Sequence, residues 1–295
     1  MLEAAFRGGR RYWILLGVWG VLILIGLYAW GLQFTQGLTV TGMSQDVTWG
    51  IYIAQFTFLV GVAASAVMVV LPYYLHSYKD FGKMVILGEG LAIAAVIMCM
   101  LFIFVDMGQP TRVTNVLLHP TLNSMMFWDM MALGGYLALN VVIGMVTFDA
   151  EAKQAPPPKW IKPIIILSIP WAGRIHTVTA FLYSGLEART FWMTAILAPR
   201  FLASAFSSGP SLLIILALIL RRFTKFDPGD KAIRSLALIV AYAMLVNVFF
   251  VLMELFTALY SNIPEHVSHF QFLFVGLEGN ETLVPWMRTS IICLL

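Results

Sequence analysis

Hydrophobic positions along this chain run together in long blocks, separated by short clusters of charge, glycine and proline. The blocks fall near residues 12–36, 51–75, 84–106, 124–148, 164–187, 198–220, 234–260 and 285–295. About 20 apolar residues, at about 1.5 Å rise each, cross about 30 Å of hydrocarbon. The pattern therefore predicts an all-α polytopic membrane protein with at least eight transmembrane helices. The last block, ending Ile291-Ile292-Cys293-Leu294-Leu295, is half a span. A natural chain that continues into a ninth or tenth helix is the expectation.

Composition agrees with the pattern. Of the 295 residues 60% are hydrophobic and 11% charged, with a mean hydropathy of +0.86, whereas a soluble domain carries about 25% charged residues. The net charge of +3 is loop charge around membrane spans and gives no reason to expect nucleic acid. The first block is too long for a cleavable signal peptide, and no small-residue cleavage site follows it.

The basic residues set an expected orientation. With Arg7, Arg10 and Arg11 on the cytoplasmic side, alternate loops hold Lys79 and Lys83, then Lys153, Lys159 and Lys162, then Arg221, Arg222, Lys225, Lys231 and Arg234. The opposite side keeps Arg112, Arg189, Arg200 and Arg288, with Glu265, Glu278 and Glu281 in its long loop. This is the positive-inside bias, and it places the N-terminus in the cytoplasm of a multi-pass cytoplasmic-membrane protein. The run AKQAPPPKW, Ala152–Trp160, is a stiff proline linker on the inner side.

Several polar residues fall inside these spans, where each costs several kcal/mol unless it has a partner or a task. They are Gln55 in the second span, Glu89 in the third, Asp129 in the fourth, Arg174 and His176 in the fifth, Arg200 opening the sixth and Glu254 in the seventh. Asp46 and Asp106 stand at outer ends of spans. The alternative to chemistry is an interhelical hydrogen bond or an Arg–carboxylate pair that only holds helices together; Arg174 is expected to pair with Asp129 or Glu89. The outer loop DMGQPTR, Asp106–Arg112, reads either as a tight turn with an Asp–Arg clamp or as a docking surface. The small-residue runs GVAASA (Gly61–Ala66) and FLASAFSSGP (Phe201–Pro210) allow close helix approach.

Redox groups of the chain's own are not expected. Of five histidines only His176 lies well inside a span, so a facing pair for haem is missing and methionine ligation is the one remaining route. Cys99 and Cys293 supply neither a zinc spacing nor an Fe–S ligand set, so no metal site is expected.

Five stretches together carry a family likeness: TWGIYIAQFTFLVGVAASA (Thr48–Ala66), DMGQPTR, SMMFWD (Ser124–Asp129), HTVTAFLYSGLEARTFW (His176–Trp192) and APRFLASAFSSGP (Ala198–Pro210). Over roughly residues 45–260 the chain resembles the NrfD/polysulfide-reductase membrane subunits. Its fifth and sixth spans look most like the DsrP- and HmeB-type subunits of sulfate-reducer redox complexes.

The resemblance implies two four-helix bundles plus an extra N-terminal helix. Residues 1–43 would hold the cytoplasmic segment and extra helix, 44–190 the first bundle with a quinone site, and 191–295 the second bundle, incomplete at its C-terminus. It implies electron exchange between menaquinol or menaquinone and an extracytoplasmic ferredoxin-like Fe–S subunit, with further cytochrome and membrane subunits, in sulfur or sulfite metabolism. Gln55 and His176 are the nearest matches to the family's quinone region, with Tyr183, Asp106 and Arg200 as further contacts. Ile53 and Phe56 occupy slots where some members are polar. Two-electron quinol oxidation releases two protons, and histidine suits their acceptance. Tyr183, seven residues after His176, shares its helix face. Glu89, Asp129, Arg174 and Glu254 are candidates for a proton path. The rival reading is a secondary transporter or a proton-conducting subunit without quinone chemistry, which helix breaks near the membrane midplane would favour.

Overall fold

The computed structural model describes residues 8–44, 47–76, 78–153, 155, 157–187 and 189–294; Arg7 and Asp46, both weighed above, lie outside them. Its helices are α1 (Arg10–Gln36), α2 (Ile51–Ala63), α3 (Ser65–Leu75), α4 (Gly82–Asp106), α5 (Asn115–Leu118), α6 (Met125–Ala152), α7 (Ile161–Ser184), α8 (Leu197–Phe223), α9 (Asp230–Ser261), α10 (Pro264–Phe274) and α11 (Val284–Leu294). Among the described residues seven spans are long and apolar enough to cross a membrane, with α2 and α3 together making one of them. The expectation of eight is corrected here. The segment read as the eighth is the eleven-residue α11, which rises about 16 Å, half the hydrocarbon thickness.

The α2–α3 span, α4, α6 and α7 pack on one another as a four-helix bundle. One core cluster, with Val69, Met84, Ile143 and Ile165, fills the half nearer the lysine-rich loops. A second, with Phe56, Val96, Leu133 and Ile175, fills the other half. Helix α8 lies against the α2–α3 span and α7, and α9 packs chiefly on α8. Only Ala232, Leu236, Asn247 and Ala258 of α9 are buried. Among the described residues α8 and α9 are the full-length spans that follow this bundle, with the short α11 after them. Helix α1 buries Gln33 alone. Its Nε2 donates to the Val105 carbonyl at 2.5 Å, its Oε1 accepts from Tyr52 at 3.0 Å, and Trp30 lies against Phe104 with ring centroids 5.7 Å apart.

The two small-residue runs meet each other. A Cβ built on Gly61 would lie 3.2 Å from Ser208 Oγ and 3.6 Å from Ala205 Cα, so glycine sets how closely α2 approaches α8. Three residues on, the helix breaks at Ala64, whose N–H turns back to the Gly61 and Val62 carbonyls. The Ala63 carbonyl is taken up by the buried Tyr136 hydroxyl at 3.1 Å. A polar group freed inside a membrane bundle needs such a partner.

Helix α10 is new relative to the pattern, which left residues 261–285 as a loop. Its apolar residues interrupt polar ones rather than forming a block, and it lies along the end of the bundle with Phe270 and His269 against Phe191.

Candidate site at the non-lysine end of the bundle

At the end of the bundle away from the lysine-rich loops, the start of α2, the end of α7 and the start of α8 converge on an aromatic cluster. Tyr183 contacts Trp49 (5.1 Å between ring centroids), Trp192 (5.0 Å) and Phe201 (5.6 Å), and Trp49 stacks on Trp192 at 5.6 Å. Below this cluster opens a cavity of about 500 Å³. Its walls include Ile53, Thr57, Gly61, His176, Ser204 and Ser208.

His176 is fully buried, and its Nδ1 lies 2.8 Å from the Ala172 carbonyl one turn back on α7. A carbonyl only accepts, so Nδ1 carries the proton and Nε2 of the neutral ring presents a lone pair. Nε2 has no hydrogen-bond partner among the described residues. Thr57 donates its one hydroxyl proton to the Ile53 carbonyl at 2.9 Å, so in its contact with Tyr183 the tyrosine is the donor. The Tyr183 oxygen keeps its lone pairs free for a third group. Two acceptors, on residues whose Cα atoms are about 10 Å apart along one face of α7, thus border one mostly apolar cavity.

Gln55, expected beside His176, is exposed and lies off this cavity. At about 100° per residue, the face of α2 that carries Ile53, Thr57 and Gly61 turns Gln55 to the far side. Thr57 occupies the place that sequence reasoning assigned to Gln55. The missed signal is its four-residue spacing from Gly61, the glycine that must face a neighbour.

A second, mostly apolar cavity of about 300 Å³ lies inside the first bundle and shares Trp49, Ile53 and Tyr183 with the first. Asp106 and Asp129 line it with Met100, Ile103, Phe104, Met126 and Met130. Asp129 is buried and accepts from the Thr179 hydroxyl at 2.7 Å. Asp106 Oδ1 is buried without a partner among the described residues. The expected clamp is corrected: among the described residues Arg112 is exposed and makes no ion pair with Asp106.

Arg200 and Glu254 face neither of these cavities. They form an ion pair between α8 and α9, in a third cavity of about 510 Å³ behind the wall of Tyr183, Trp192 and Phe201. Arg174 is corrected as well. It is exposed, and its guanidinium lies over the rings of Trp171 (5.2 Å) and Trp128 (5.8 Å) rather than beside Asp129 or Glu89.

Glu89 is buried near the opposite end of the bundle. Thr147 donates to its Oε2 at 2.6 Å, and its Oε1 has no partner among the described residues. Thr147 also lines an open cavity of about 510 Å³ bordered by Tyr74, Lys79, Asp80, Lys83 and Asp227. Among the described residues no group of three or more His, Cys, Asp or Glu side chains is placed to hold a metal ion.

Over residues 39–287 the chain matches the family described as Polysulphide reductase, NrfD. It is 29% identical over 299 residues to a candidate dimethyl sulfoxide reductase membrane subunit of Halobacterium salinarum, covering 94% of this chain and 66% of that protein. It is 27% identical over 247 residues to the Hdr-like menaquinol oxidoreductase integral membrane subunit of Archaeoglobus fulgidus, covering 83% of this chain and 60% of the relative. A selenate reductase subunit of Mesobacillus selenatarsenatis is 21% identical over 311 residues, with 94% and 71% covered. The chain spans less than two thirds of the first two relatives.

Proposed function

Since this chain belongs to the polysulphide reductase NrfD family, we propose that it is the quinone-facing integral membrane subunit of a respiratory oxidoreductase complex, and that the His176–Tyr183 cavity is its quinone site. The observation that carries this reading is the pair of unclaimed acceptors, His176 Nε2 and the Tyr183 oxygen, in one apolar cavity. Menaquinone is the quinone proposed, by analogy with the menaquinol oxidoreductase subunit of Archaeoglobus fulgidus.

A quinol bound there supplies two electrons and two protons. His176 Nε2 accepts a proton at one hydroxyl, while the Ala172 carbonyl holds the ring in the competent tautomer. Tyr183, oriented by Thr57, accepts a hydrogen bond from the other. Trp49, Trp192 and Phe201 exclude water from the reacting face. Asp129 and Asp106, on the far side of Tyr183, take protons onward. Electrons pass to a ferredoxin-like Fe–S partner docked at the same end, with cytochrome and further membrane subunits completing the complex. The resemblance of its fifth and sixth spans to sulfate-reducer subunits is what supports a role in sulfur metabolism. The test is quenching of Trp49 and Trp192 fluorescence by a short-chain naphthoquinone in lipid nanodiscs. Tyr183→Phe weakens saturable quenching about tenfold, roughly the value of one or two hydrogen bonds, and Gln55→Ala leaves it unchanged. The reverse pattern would move the site to the other face of α2.

Glu89 supports a second reading, proton uptake at the lysine-rich end, for which the basic loops favour the cytoplasmic side. The Thr147 hydroxyl links Glu89 to the open cavity there, and Glu89 lies about 10 Å along α4 from Gly82. Arg174 drops out of this path because it faces outward. In proteoliposomes whose orientation is scored by protease cleavage at residues 153–162, Glu89→Gln lowers proton uptake per electron from the lysine-rich side. Unchanged uptake makes Glu89 a structural partner of Thr147. The transporter reading draws on the helix break at Ala64, but the Ala63 carbonyl there is bonded to Tyr136 and Ala63 is buried in the packed core.

A further inference from the structure

Arg174 is the charged group of α7 that stands on the outer surface of the bundle away from the helix ends, inside the membrane span. Among the described residues it has no ion pair and no hydrogen bond; its contacts are the two indole faces. Both indoles are themselves fixed. Trp128 Nε1 donates to the Leu122 carbonyl at 2.8 Å, and Trp171 Nε1 donates to the Ala132 carbonyl at 2.9 Å. Gly135 makes room for Trp171, since a Cβ there would lie 2.5 Å from the indole. The guanidinium is therefore held in a built aromatic bracket, with its N–H fork left open.

Two indole faces offset part of the cost of a cation at this depth, but they satisfy none of the five donors. An acceptor with negative charge is missing. The height of the bracket indicates which one. Trp128 is the fourth residue of α6, about 5 Å below the helix end. The Arg174 side chain reaches toward that level from a Cα deeper in the span, as cationic side chains do near an interface. A tryptophan this close to a span's end is within reach of the lipid headgroup region. Below the bracket the surface is apolar and exposed at Met131 and Leu167, where an acyl chain can lie.

We propose that Arg174, with Trp128 and Trp171, forms a lipid-facing site for the phosphodiester of a membrane phospholipid. The planar guanidinium matches two phosphate oxygens at once, and a lipid carries that phosphate at the level where the fork opens. The site lies on the face of α7 opposite His176, so lipid binding there is separate from the quinone reading.

The test is native mass spectrometry of the delipidated chain titrated with phosphatidylglycerol, phosphatidylcholine and diacylglycerol. Wild type binds its first phosphate-bearing lipid about tenfold more tightly than diacylglycerol, as expected for a charge-assisted pair. Arg174→Gln abolishes that preference. Arg174→Lys, which keeps the charge and loses the fork, falls between, and it serves if the glutamine variant fails to fold. Inorganic phosphate at the same concentration does not displace the lipid. Equal lipid affinity in wild type and both variants overturns the proposal, as does displacement by inorganic phosphate. Loss of a neighbouring membrane subunit from the intact complex on Arg174→Gln, with bound phospholipid unchanged, also overturns it and assigns the fork to a partner carboxylate.

Discussion

Replacing His176 with alanine is expected to lower quinol-driven electron transfer through the assembled complex by about 10²–10⁴-fold, the usual contribution of a positioned general base. The reason is local. His176 Nε2 is the ring nitrogen left without a partner in the wall of the cavity, because Nδ1 is committed to Ala172. His176→Phe, which fills the volume without an acceptor, falls as far as alanine. His176→Gln, which restores an acceptor of low basicity, recovers binding more than turnover. Assembly and thermal midpoint of each variant separate chemistry from folding, since truncating a buried side chain has its own cost. Near-normal turnover in the phenylalanine variant would remove His176 from the reaction.

Arg200→Ala is the substitution expected to destabilise the fold most. It leaves Glu254, whose side chain is 12% exposed, as a carboxylate without its cation between α8 and α9. Arg200 is 31% exposed, so breaking this half-buried pair from one side costs less than the roughly 3–5 kcal/mol of a fully buried one, whereas replacing both members with apolar residues of similar volume is often neutral. The single variant should therefore unfold at markedly lower temperature, and Arg200→Met with Glu254→Leu should recover most of the loss. Helix α9 has few other buried contacts, so its packing on α8 leans on this pair. A single variant as stable as wild type would make the pair incidental. Quinone binding should survive the double variant, because the pair lies behind the Tyr183 wall.

The spans are legible in the sequence because continuous apolar runs leave little else to form: the block at residues 51–75 has the same bounds that α2 and α3 occupy. The surface helix α10 is hidden because its apolar residues are interspersed with polar ones and no contiguous block marks it. Within one helix the site is also readable. His176 and Tyr183 meet the same cavity because a seven-residue spacing is nearly two turns. Between helices it is not. Which face of α2 turns inward depends on where Gly61 meets Ala205 and Ser208, and that contact puts Thr57 inside and Gln55 outside. For the same reason Arg174, expected beside a carboxylate, lies between two indoles instead. A sequence shows that a buried charge needs a partner, but the register of the facing helix decides which.

The central claim, a quinone held between His176 and Tyr183, is tested most directly by photolabelling the intact complex with an azido-naphthoquinone and mapping the modified peptides. Label at residues 49–57 and 176–183, suppressed by excess unlabelled menaquinone, is the predicted result. Competable label confined to the Arg200–Glu254 cavity, or to peptides outside α2 and α7, would contradict it.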